Sequence, residues 1–246
     1  MSLQMKNINQ KQYTNPGPEV LVTLLDPRSQ VAEAYRTLRT NIQFSSLEKP
    51  VKTLLLTSAR PGEDKSVGIA NLAVTFAQMG SRVILVDADL RRPSQHTIFG
   101  VANDQGLTGT LLSAGNAAQN NGLARSYFPV SELPLVQTQV PNLRLLTSGS
   151  LPANPAEVLN SALMGELIRR LGEEADYVLF DAPPLLAVTD AAILAARLDA
   201  TLLVLKAGKT SREDAREAKD QLDRVHANLL GAVLNNARPV RAKYSY

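Results

Sequence analysis

Six short apolar runs, separated by longer amphipathic segments, constrain this chain more than any other feature. They span residues 53–57, 82–86, 143–147, 177–180, 200–205 and 229–234. Nearly every position in them is apolar, so they lack the in–out alternation of half-exposed strands and read as strands covered on both faces. Between Gln30 and Phe44 the residues Val31, Ala34, Leu38 and Ile42 recur at steps of three and four, the period of an amphipathic helix. Helices are also expected over 66–79, 155–171, 190–196 and 211–225. Strands alternating with helices imply right-handed crossovers and an α/β fold: a mostly parallel central sheet with helices on both faces. Ligands of such sheets sit beyond the carboxyl ends of the strands.

The 246 residues can bury one substantial core, so a single domain is expected. Residues 1–27, polar and carrying Pro16, Pro18 and Pro27, read as an extended leader; 28–240 form the folded domain; 241–246 form a short tail containing Tyr244 and Tyr246. The Ala-, Asn- and Gly-rich stretch from 113 to 140 reads as a long loop. Cysteine is absent, which rules out disulfides and thiolate metal sites and suits a reducing cytoplasm. His96 and His226 are the only histidines, too few for a histidine-built metal centre. A formal charge of +3, with no tryptophan, gives no footprint for nucleic acid. No apolar run approaches the ~20 residues of a membrane span.

The first apolar run leads into Ala59-Arg60-Pro61-Gly62-Glu63-Asp64-Lys65-Ser66-Val67, which opens the helix 66–79. A phosphate-binding P-loop requires backbone N–H groups converging at a helix start. It also requires a lysine for the β- and γ-phosphates and a hydroxyl for Mg²⁺. Lys65 and Ser66 stand at those two positions. Gly62, Glu63, Asp64 and Val67 complete the stretch that would wrap the phosphates. Asp64 stands where a glycine would let phosphate approach bare backbone. A carboxylate about 4 Å from a phosphate charge costs ~4 kcal/mol at an effective dielectric near 20, so impaired nucleotide binding is expected.

The second run ends in Val86-Asp87-Ala88-Asp89-Leu90-Arg91-Arg92-Pro93. Carboxylates two apart on an extended chain point to the same side, beyond the strand end where a cation and a phosphoryl group would lie. Asp89 is also suited to capping the following turn. A later run closes on Asp181-Ala182-Pro183-Pro184, the usual place for a carboxylate that orients Mg²⁺ or water in a P-loop enzyme.

In this order these motifs resemble the Walker A, A′ and B motifs of bacterial tyrosine autokinases, over about residues 20 to 240. Pro155-Ala156-Glu157-Val158-Leu159 and the E-x-x-R-x-x-R pattern of Glu33, Arg36 and Arg39 add to the likeness. The resemblance implies ATP and Mg²⁺ as cofactors, with Lys65, Asp87, Asp89 and Asp181 as the catalytic set. It places Mg²⁺ on Ser66, Asp87 and Asp181, while Asn235 falls where related ATPases contact adenine and reads equally as part of a strand-end turn. It implies autophosphorylation of Tyr244 or Tyr246 in a homo-oligomer built through Glu33, Arg36 and Arg39. Read locally, those three residues are equally a solvated helix stripe with its own ion pair. The family resemblance further implies a membrane-embedded polysaccharide co-polymerase as activator, either a separate chain or a fused segment. That would hold the protein at the inner face of the membrane. Two other functions stay open: a degenerate scaffold of the same assembly that no longer binds nucleotide, and a partition-type ATPase.

Overall fold

The structure is a computed structural model and describes residues 20–45, 50–121 and 133–237. The strands in chain order are β1 (Thr53–Ser58), β2 (Val83–Asp87), β3 (Val136–Gln137), β4 (Leu143–Leu146), β5 (Tyr177–Asp181), β6 (Ala200–Lys206) and β7 (Leu229–Asn235). The helices are α1 (Val22–Leu25), α2 (Gln30–Phe44), α3 (Lys65–Gln78), α4 (Gln95–Phe99) and α5 (Leu107–Asn121), then α6 (Pro155–Asn160), α7 (Ala162–Glu174), α8 (Asp190–Ala195) and α9 (Arg212–Arg224). The strands form one sheet in the order β3-β4-β2-β5-β1-β6-β7, parallel except where β3 meets β4. This is the expected α/β sheet, and all six apolar runs are strands in it.

The lack of alternation in those runs has a direct cause. Leu54 and Leu56 face a core shared with Ile69, Leu72 and Phe76 of α3. Leu55, between them, faces a second core with Leu167 and Leu171 of α7, Leu194 of α8 and Leu222 of α9. Successive strand residues point to opposite faces, so a strand buried twice must be apolar throughout. Crossing of β5 between β1 and β2 is what builds the site. It puts Asp181 in register with Leu56 on one side and with Asp87 on the other.

Three expectations are corrected. The leader is not extended up to residue 27: Val22–Leu25 is a helical turn, with Leu21 and Thr23 fully buried, while residues 1–19 lie outside the described ones. The stretch 113–140 is not all loop. Helix α5 runs to Asn121 and β3 pairs with β4; Gly109, Gly115 and the run of small and amide residues hid the helix. The single helix expected over 155–171 is two, because Ser161 leaves helical geometry (φ −63°, ψ 155°) and its hydroxyl caps the Met164 N–H of α7. Arg197 gathers the carbonyls left at that break, donating to Leu159 O at 3.2 Å and Ser161 O at 2.8 Å.

The α1 turn is fastened to α3 by one buried amide. Asn71 Oδ1 accepts from the Thr23 N–H (3.0 Å) and the Thr23 hydroxyl (2.9 Å), and its Nδ2 donates to Val20 O and Val67 O. Removing that amide strands several buried polar groups, each worth about 1–3 kcal/mol. Asn71→Ala is therefore expected to lower unfolding free energy by ~3 kcal/mol in urea titration, whereas Leu25→Ala, at an exposed position, changes it by under ~0.5 kcal/mol. A loss below ~1 kcal/mol for Asn71→Ala would contradict this anchoring.

Candidate active site

Between β1 and α3 the backbone turns through two left-handed residues, Gly62 (φ 79°) and Asp64 (φ 61°, ψ 31°). Aspartate tolerates that region better than most residues, which explains how it can occupy a position suited to glycine. Its carboxylate accepts from Lys206 Nζ at 2.5 Å. A charge left facing phosphate, assumed from sequence, is thus partnered here. Lys209 Nζ donates to the carbonyls of Pro61 (2.9 Å) and Gly62 (3.1 Å), and a Cβ on Gly62 would lie 2.4 Å from that nitrogen. Glu63 is buried, its carboxylate accepting from the Arg60 N–H and the Thr210 hydroxyl. Asn235 Nδ2 donates to the Glu63 carbonyl at 3.0 Å. The loop carbonyls and side chains are therefore tied to the β6–α9 connection and to β7, while the first turn of α3 has no side-chain cap. A helix start with uncapped N–H groups favours an anion.

At the centre, Lys65 Nζ lies 2.8 Å from Asp89 Oδ2, 3.1 Å from Asp181 Oδ1 and 3.1 Å from Ser66 Oγ. Burial alone would depress this ammonium; Asp181 and Asp89 outweigh it and hold the group above the ordinary lysine range. Asp89 Oδ1 accepts from the Arg92 N–H at 3.0 Å, so the turn-capping role holds together with the ion pair. Asp87 Oδ2 accepts from the N–H groups of Ser94 and Gln95, both at 2.9 Å, but its buried Oδ1 has no partner. Burial first, then the neighbouring Asp181 carboxylate, push Asp87 well above the usual carboxylate range. Arg91 fixes the A′ loop from outside through a two-point pair with Asp190 at 2.9 and 3.0 Å.

The structure thus brings Lys65, Ser66, Asp87, Asp89 and Asp181 together beyond the carboxyl ends of β1, β2 and β5, with Gly62, Glu63, Asp64 and Val67 around them. Among the described residues no group of three or more acidic or histidine side chains forms a ready cage for a metal. Mg²⁺ prefers one or two carboxylates completed by water and phosphate oxygens; the unpartnered Asp87 oxygen and the Ser66 hydroxyl fit such a cation. Glu33, Arg36 and Arg39 lie elsewhere, on α2. Arg36 pairs with Glu33 at 2.8 Å and donates to Pro27 O, while Arg39 donates to Thr75 O at 3.0 Å. Tyr244 and Tyr246 fall outside the described residues. Sequence reasoning passed over Gln95, Lys206, Lys209 and Thr210. Lys206 closes β6 and Lys209 lies in the turn after it, a positional signal, whereas nothing in Ser94-Gln95-His96 distinguishes Gln95 from an ordinary turn residue.

A family model described as ParA: NUBPL iron-transfer P-loop NTPase matches residues 50–243. The tyrosine-protein kinase YwqD of Bacillus subtilis is 41% identical over 227 residues, covering 92% of this chain and 90% of the relative. A putative tyrosine-protein kinase CapB of Staphylococcus aureus is 34% identical over 220 residues, 89% of this chain and 90% of that one. Among solved structures, the chimerical protein CapA2B2 superposes with a TM-score of 0.80 at 30% identity, covering 92% of this chain and 93% of that chain. The kinase domain of the Escherichia coli tyrosine kinase ETK gives 0.78 at 27% identity, covering 98% and 89%. The cell-division ATPase MinD of Pyrococcus furiosus, at 24% identity and a TM-score of 0.58, shares the fold.

Asp87 yields a test of the electrostatics. Its pKa is raised in the folded state, so its ionisation opposes folding above that pKa and has no effect below the unfolded value near 4. Asp87→Asn keeps an acceptor for the Ser94 and Gln95 N–H groups and removes the repulsion with Asp181. The substitution is expected to raise stability by ~1 kcal/mol at pH 7, a gain that disappears as the pH falls toward 4. Unfolding titrations across that range check it, and destabilisation at pH 7 would contradict it.

Proposed function

This chain belongs to the bacterial tyrosine-protein kinases within the ParA-type P-loop NTPases, and from that premise we propose that it is an ATP-dependent tyrosine autokinase of capsular or exopolysaccharide synthesis. The observation that carries the reading is Lys65, buried between Asp89 and Asp181 with the Ser66 hydroxyl beside it. Lys65 and the backbone of residues 62–67 would bind the nucleotide's phosphates, and Asn235, at the loop's outer side, would border the adenine. Ser66 and Asp87 would hold Mg²⁺, with Asp181 orienting its water. Bound there, the cation would neutralise charge on the transferring phosphoryl group.

The chain's own residues then have separable tasks. Lys65 exchanges a carboxylate partner for phosphate oxygen. That exchange frees Asp89 Oδ2 to accept the proton of the tyrosine hydroxyl, while the Arg92 N–H keeps Asp89 Oδ1 in place. Positioning and charge stabilisation of this kind account for most of phosphoryl-transfer catalysis. The acceptors would be Tyr244 and Tyr246 on a neighbouring chain, in an oligomer to which Glu33, Arg36 and Arg39 contribute. No helix among the described residues is long and apolar enough to cross a membrane. The family resemblance implies a membrane-embedded polysaccharide co-polymerase as activator, which would hold this domain at the cytoplasmic face. The pairing of Asp64 with Lys206 favours retained nucleotide binding over the degenerate-scaffold alternative.

Two experiments test these proposals. Incubation with labelled ATP, activator segment present, is expected to place phosphotyrosine on the tail, and Lys65→Met to abolish it; no label on the unaltered protein would overturn the kinase reading. Calorimetry of Mg-ADP binding tests the Asp64–Lys206 pair. Lys206→Ala is expected to weaken binding about tenfold, roughly 1.4 kcal/mol, and less than about threefold in the Asp64→Gly background. Equal effects in both backgrounds would show that the pair does not protect the site.

A further inference from the structure

Gln95, a buried side chain, touches the P-loop helix and the carboxylate of β5 at once. Its Nε2 donates to Asp181 Oδ2 at 2.7 Å and to the Ser66 carbonyl at 3.0 Å. Both partners are acceptors, so only the amide nitrogen can face them and the orientation of the side chain is fixed. Its backbone N–H meanwhile donates to Asp87 Oδ2 at 2.9 Å. One residue therefore reaches three parts of the site: the start of α3, the end of β2 and the end of β5. Gln95 is fully buried, and its Oε1 has no hydrogen-bond partner. Asp87, whose Oδ2 accepts from the Gln95 N–H, likewise has an Oδ1 without a partner. Unsatisfied buried acceptors cost stability, and two of them on residues joined by a hydrogen bond indicate that donors are expected there.

We propose that Gln95 is a positioning residue of the phosphoryl-transfer site. Its amide nitrogen locks Asp181 and Ser66 into register with Asp87, and its free carbonyl oxygen accepts a hydrogen bond from a water of the Mg²⁺ shell. Chemistry of the partners supports this division of labour. A hard divalent cation of this size keeps several of its waters, and each bound water presents two donors that need acceptors. Acceptors outside the direct ligand set orient the ligands and tune affinity, typically by 10- to 100-fold. The amide is better suited than a carboxylate at this place. It can donate to Asp181 on one side and accept from water on the other without adding a third negative charge beside Asp87 and Asp181. A purely structural amide would have both ends satisfied by protein, as the amide of Asn71 has.

The inference rests on the nucleotide reading above, and its test separates the two. Binding of a fluorescent ADP is measured with EDTA and then across a Mg²⁺ titration, for the unaltered protein, Gln95→Met and Gln95→Asn. Gln95→Met removes donor and acceptor at similar volume; Gln95→Asn keeps an amide but shortens its reach by one methylene. Melting curves confirm folding. In EDTA the affinity for ADP is expected to stay within about twofold, since the phosphate cradle and Lys65 are intact. The Mg²⁺ concentration giving half of the Mg-dependent gain is expected to rise at least tenfold in Gln95→Met, with a smaller rise in Gln95→Asn, which also serves if Gln95→Met does not fold. A Mg²⁺ dependence unchanged in the folded variants, or equal losses with and without Mg²⁺, would overturn the inference while leaving the nucleotide reading in place. An unaltered protein that gains nothing from Mg²⁺ would overturn that reading and this inference with it.

Discussion

A lysine ammonium caught between two buried carboxylates is the interaction on which the site depends. Lys65, Asp89 and Asp181 are each at most 8% exposed, and such charges are tolerated away from water only when paired and hydrogen-bonded. Each member therefore fixes the others: the P-loop must deliver Lys65, the A′ turn must deliver Asp89, and β5 must run between β1 and β2 to deliver Asp181. The cluster is also under-compensated. With Asp87 included, three carboxylates face one ammonium, and it is Asp87 that lacks a partner on one oxygen. An added cation would complete the balance, and a polyphosphate would give Lys65 a new partner as it does so. The cluster thus holds its charges together already desolvated.

The frame around this cluster is built for rigidity. Arg91 and Asp190 tie the A′ loop to α8, Thr210 and Arg60 close on Glu63, and Lys206 and Lys209 hold the loop from its outer side. Such ties leave the loop backbone little freedom, as pre-organised phosphate recognition requires. Asp64 illustrates how a departure from a motif is accommodated. Aspartate adopts the left-handed backbone that the loop needs, and the lysine that ends β6 takes up the charge.

Much of this was legible in the sequence, for physical reasons that can be named. The unbroken apolar character of 53–57 and 200–205 follows from burial on both faces, so the parallel sheet was readable. Asp87 and Asp181 were readable because each closes a strand, and Lys65 because it opens the helix that follows β1. The rest depended on contacts far apart in the chain. Asp64 was taken as a charge aimed at phosphate because Lys206 is 142 residues away. Gln95 had no local mark, since its partners Ser66 and Asp181 lie 29 and 86 residues distant. Helix α5 was missed because its small and amide residues carry little periodicity, and the break at Ser161 because a serine in a helical run signals a cap only when its hydroxyl is seen to bond Met164 N–H.

A crystal structure of the protein with Mg-ADP bears most directly on the central claim. Lys65 Nζ is expected to leave Asp89 for a phosphate oxygen, with the cation on Ser66 Oγ and the side of Asp87 that carries Oδ1. Nucleotide bound elsewhere, or Lys65 still held by both Asp89 and Asp181 with phosphate in the loop, would contradict it.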